Sequence, residues 1–171
     1  MENTAAVEKA LGAIEASVAA LGVIVRGTGS GTGCPGADQL RQQADDCLDI
    51  LAEAARLQAK TAALTAGASA GFADATMSME SPAATPQEHT AQEMAVVAEV
   101  ARVLTVSERA AGALLAESRE LSTALPLTLA ALGAGSISWQ HARVMVDETA
   151  NLGPAGAAAL EAHFLDPDAP N

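Results

Sequence analysis

Residues 85–88, Thr85-Pro86-Gln87-Glu88, open a stretch that runs to Leu125-Pro126, and the reading of this stretch decides the fold. Thr85 offers a side-chain oxygen to free backbone N–H groups. Pro86 presets the backbone of the first helical residue, and Glu88 stands where it can reach back to the cap. Thr90 and Glu93 repeat the pattern one turn later. A helix is therefore predicted to run to Leu104. Met94, Val97, Ala98, Ala101 and Leu104 form one apolar face, while Val96, Val100 and Val103 add a second. A helix apolar on two faces is expected at the centre of a bundle. Thr105-Val106-Ser107-Glu108 interrupts the pattern and caps a further helix. Its core face is Ala110, Ala111, Leu114, Leu115, Ser118 and Leu121.

The same punctuation continues to the C-terminal side. Leu125-Pro126 stops one helix and starts a short one, which ends near Gly133 and Gly135. Ser138 caps a helix from Trp139 to about Ala150. Asn151-Leu152-Gly153-Pro154 ends that helix and starts the last, up to Phe164. No segment reads as a strand. The predicted fold is all-α, with a compact bundle of four to five short helices over 85–165 and no sheet.

Towards the N-terminus, Val7, Leu11, Ile14, Val18, Leu21 and Val25 follow one another at intervals of four and three. This is a heptad stripe on a helix from about Thr4 to Val25, and it calls for a partner along one seam. Gly27 to Gly36 is rich in glycine and ends the helix. A second helix is predicted from Ala37 to Ala66, with the stripe Leu40, Ala44, Cys47, Leu51 and Ala55. The simplest arrangement is an antiparallel helical hairpin over 1–66. Residues 67–84, made largely of Gly, Ala, Ser, Thr and Pro, read as a flexible linker. Residues 166–171 read as a disordered tail.

Composition narrows the chemistry. Half of the 171 residues are hydrophobic but only 2% are aromatic, and much of the apolar content is alanine. Alanine favours helix yet buries little area, so closely packed helices are expected rather than a deep cofactor cavity. The formal net charge is −12, and the basic residues form no cluster. Direct nucleic-acid binding by this segment is therefore disfavoured. The N-terminus lacks the positive region of a signal peptide, and the longest apolar run is too short to span a bilayer. The expected compartment is the cytoplasm, with no membrane partner and with Cys34 and Cys47 reduced. Cys47 falls on the apolar stripe and is expected in the core.

Several constellations invite a site. Gly31-Thr32-Gly33-Cys34-Pro35-Gly36 has the spacing of a dinucleotide loop, but the preceding residues continue a helical stripe where that motif needs a strand. His141, Asn151 and His163 occur in the order of a metal-dependent HNH nuclease, but they fall on or between helices without a β-hairpin to hold a metal. The helix that opens at Thr85 and the one capped by Ser107 have the outline of a helix-turn-helix. The would-be recognition helix carries Arg109 and Arg119 against Glu108, Glu117 and Glu120, a poor match to a phosphate backbone. In Asp45-Asp46 and Asp147-Glu148, neighbours on a helix diverge by about 100° and do not converge on one point.

One resemblance goes further. Glu93-Met94-Ala95, Leu104 to Ala111, Leu125 to Leu132, and Gly135-Ser136-Ile137-Ser138 leading to Ala142-Arg143-Val144 together resemble an actinobacterial family, the domain of unknown function 222 family. Its most specific elements are the Leu-Pro helix start and the Gly-x-Ile-Ser turn. The first 90 residues are similar only in style. The resemblance implies a role for Leu125, Pro126, Gly135, Ile137, Ser138 and Arg143 as structural motif positions, in the N-terminal region of an HNH-endonuclease-type protein. Cleavage, and any divalent metal, would belong to a nuclease domain absent from this chain. The expectation is a non-catalytic accessory module that positions, oligomerises or regulates that domain, with no catalytic, cofactor or metal residue of its own. The alternatives are a self-associating structural module, forming a homo-oligomer through the heptad helix from about Thr4 to Val25, and a helix-turn-helix-like DNA-binding module.

Overall fold

The computed structural model describes residues 2–27, 36–80, 83 and 85–165. The glycine-rich loop with Cys34 and the 166–171 tail lie outside the described residues. Those described form α1 (Glu2–Gly27), α2 (Ala37–Met79), α3 (Pro86–Leu104), α4 (Glu108–Thr123), α5 (Pro126–Ala134), α6 (Trp139–Thr149) and α7 (Pro154–Leu165). No strand occurs among them, and the fold is all-α. Also among the described residues, no helix is long and apolar enough to cross a membrane.

The chain divides into two compact units, 1–54 and 55–171. The division falls within α2, not in the linker expected over 67–84. Residues 67–79 are the last turns of α2, and Ser69, Ala70 and Ala73 are buried there, continuing from the buried Ala66. The physical reason is the distribution of small residues. Ala66, Ala70, Ala73 and Met77 recur at helical spacing, and alanine propagates a helix at the least entropic cost. Gly67 and Gly71 fall on the open side, where an added Cβ would meet nothing within 4 Å. Each costs about 1 kcal/mol of helix propensity, which the packed face offsets.

In the first unit, the seam expected between two apolar stripes is not closed. Val7, Leu11, Ile14 and Val18 of α1 are 40–54% exposed. Leu40, Ala44, Cys47 and Leu51 of α2 are exposed as well, so Cys47 is not a core residue. The half-buried line of α2 is instead Gln43, Asp46, Ile50 and Ala54. That line has the same helical spacing as the predicted one, rotated around the axis, and it includes the polar Gln43 and Asp46, so hydropathy favours the stripe that stays exposed.

In the second unit α4 packs against α3, α5 and α6, while α7 packs against α5 and α6. Leu121, Leu125, Leu132, Ala142, Ala157 and Ala59 form the main core. A smaller cluster of Val100, Ala101 and Ala111 joins α3 to α4. The central helix is α4, not α3. Val96, Val100 and Ala101 of α3 are buried, but Met94 and Val103 are 63% and 64% exposed. Each of the two expected faces is thus covered only in part: Met94 and Leu104 of the first and Val103 of the second stay exposed.

Two helix ends carry opposite backbone chemistry. Thr105 ends α3 with φ 56°, in the left-handed region, and its N–H donates to the Ala101 carbonyl. A β-branched residue there is strained. Gly135 ends α5 with φ 80°, and a Cβ on it would lie 3.2 Å from the Arg56 carbonyl oxygen. Thr105→Gly is expected to raise the free energy of unfolding by roughly 1 kcal/mol. Gly135→Ala is expected to lower it by about 1–3 kcal/mol. Urea denaturation followed by circular dichroism measures both; equal shifts of one sign would contradict this assignment.

Candidate functional site

The six motif positions fall around α5 and α6. Leu125, fully buried, occupies the cap position of α5, and Pro126 is its first helical residue. Leucine has no side-chain acceptor, and none caps this helix locally. The acceptor comes from α7. Glu161, 2% exposed, accepts from the Thr128 N–H at 2.7 Å and from the Thr128 hydroxyl at 2.6 Å. A carboxylate at a helix N-terminus satisfies a free donor and meets the positive end of the helix dipole. It also ties α7 to α5.

At the other end of α5, Gly135 donates to the Ala131 and Leu132 carbonyls, and Ser136 donates to Ala131 through both its N–H and its hydroxyl. Ile137 then packs on the main core. Ser138 caps α6: its hydroxyl oxygen accepts from the His141 N–H, and its own N–H is directed at His141 Nδ1. His141 thus takes the position of the usual acidic residue in a capping box. Arg143 donates through Nε to Glu117 of α4 at 2.7 Å. The hydrogen bond with Glu117, and then its negative charge, hold the Arg143 pKa above its ordinary value.

These positions do not converge. Leu125 and Gly135 lie at opposite ends of a nine-residue helix, about 13 Å long at helical rise. Each motif residue starts a helix, ends one, or joins two. His141 and His163 lie on α6 and α7, and Asn151 lies in the turn between them. His163 stacks edge-to-face on its neighbour Phe164. Among the described residues, no group of three or more His, Cys, Asp or Glu side chains is placed to hold a metal ion. The segment before the glycine-rich loop is helical, so the strand that a dinucleotide motif requires is not there. Asp45 and Glu148 are exposed on their helices; Asp46 accepts from Gln42.

An open apolar groove of about 710 Å³ runs between α6 and α7, lined by Ile137, Val144, Met145, Leu160 and Phe164, with His141 and Glu148 at its edge. It offers a surface for contact but no pairing of a nucleophile with a base. The residue that the sequence reading passed over is Glu161. Its partner is 33 positions away, yet two signals were legible. It is the sole acid of α7, whose only other polar side chain is His163, and α5 begins at a Leu-Pro pair that cannot cap itself.

Glu161→Ala is expected to destabilise the protein by about 2–4 kcal/mol, since it strands the buried Thr128 donors. Thr128→Val is expected to cost about 1–2 kcal/mol. A double-mutant cycle in urea should show strong coupling; strict additivity would refute the contact.

Comparison with family models, with curated proteins and with solved structures finds no match to this chain.

Proposed function

We propose that this chain is a non-catalytic helical accessory module of an HNH-endonuclease-type protein, serving to position, oligomerise or regulate a nuclease domain. The observation that carries this reading is the segment from Leu125 to Val144. Its residues resemble the domain of unknown function 222 family, and in the fold Leu125, Pro126, Gly135, Ile137, Ser138 and Arg143 each stand at a cap, a turn or an inter-helix contact. A stiff, capped scaffold suits positioning, because a partner domain is held only as firmly as the element that carries it. Any divalent metal would, on this reading, belong to the nuclease domain.

One observation favours a second reading, a self-associating structural module: the stripe of α1 lies open among the described residues. The helix-turn-helix reading has less support. α4 is enclosed by α3, α5 and α6, and its open side mixes Arg109 and Arg119 with Glu108 and Glu120.

A plasmid-nicking assay with Mg²⁺, Mn²⁺ or Zn²⁺ tests the leading reading. No metal-dependent cleavage is expected. Cleavage that His141→Ala or His163→Ala abolishes would overturn it.

A further inference from the structure

We infer that α1 pairs, parallel and in register, with α1 of a second copy of this chain. The inference rests on the self-association reading and adds the surface, the orientation and the register. Val7, Leu11, Ile14, Val18, Leu21 and Val25 keep the heptad spacing without a break across the helix. Five of them are 40–54% exposed, and Leu21 is half-buried. The apolar stripe of α2 in the same unit, Leu40 to Leu51, is itself exposed and does not cover them.

The charges beside the stripe choose the orientation. With Leu11, Val18 and Val25 at position a, and Val7, Ile14 and Leu21 at d, the e positions hold Glu8 and Glu15. The g positions hold Ala10 and Ser17. In a parallel pair each g residue faces the following e residue of the other copy, so Glu15 meets the small neutral Ala10 and no two like charges face each other. An antiparallel pair aligned on the same stripe sets Glu15 against its own counterpart. Like charges there repel. The helix is otherwise nearly neutral: Glu2, Glu8 and Glu15 against Lys9 and Arg26 leave a net charge of −1, so two copies meet here with little of the −12 opposing them.

The area is sufficient for a specific but reversible contact. Twelve half-open side chains remove on the order of 1,000 Å² from water, the lower bound of specific interfaces. Association should therefore depend on concentration.

Sedimentation velocity of the full chain across a concentration series, with circular dichroism as a check on helix content, provides the test. The expected result is reversible association that Leu11→Asp with Val18→Asp weakens by at least about 100-fold, while Ala13→Asp, off the stripe, leaves it unchanged. In a Cys34→Ser, Cys47→Ser background, Val7→Cys is expected to form a disulfide-linked pair under mild oxidation. In an antiparallel pair the two cysteines would lie about 27 Å apart and would not link. A monomer at every concentration overturns both the inference and the self-association reading. Association that survives the stripe variants overturns the inference alone. Stripe-dependent association without the Val7→Cys link overturns the parallel register.

Discussion

The carboxylate of Glu161 and the N–H and hydroxyl of Thr128 meet in the interior of the second unit, and the packing around them depends on that meeting. Neither partner is tolerable alone. Thr128 is fully buried at the start of a helix whose cap residue, Leu125, supplies no acceptor. An orphaned donor there costs about 1–3 kcal/mol. A buried carboxylate without donors costs more. The contact fixes where α7 lies on α5, and α6 is held in contact with both. The main core, from Leu121 to Ala157, closes around that arrangement.

Small residues set how the rest is packed. Ala142, Ala111 and Ser118 are fully buried and let neighbouring helices approach closely. The Ser118 hydroxyl has no hydrogen-bond partner there, a cost that goes with using a small polar residue in a crossing. The same economy of side chains lets α2 run on through 67–79 as a packed helix. It also leaves large apolar side chains uncovered elsewhere, such as Val103 and Phe164 at 64% and 65% exposure. A protein with few aromatics and many alanines has little area with which to bury all of its stripes at once.

For function, the arrangement of the motif matters more than its composition. Leu125 and Pro126 start α5, Gly135 ends it, Ile137 and Ser138 turn the chain into α6, and Arg143 ties α6 to α4 through Glu117. Such residues define the shape of a scaffold. The proposed accessory role follows from this, whereas the proposed pairing of α1 follows from the open stripe of the other unit.

Much of this was legible in the sequence because its causes are local. The capping box at Thr85 and Glu88, Ser107, Ser138 and the Leu-Pro and Gly-Pro breaks act within one turn of helix, so α3 to α7 fall where those residues put them. The heptad on α1 is local in the same way. What depends on distant partners was not legible. Whether 67–79 packs as helix or swings as linker turns on a buried face. So does the choice between the two stripes of α2, and the place of α4 rather than α3 at the centre. The cap of α5 is the clearest case, since Glu161 comes from 33 residues away. Hydrogen bonds and torsions within a turn are written into neighbouring residues, whereas the face a helix buries is decided only when another element arrives to cover it.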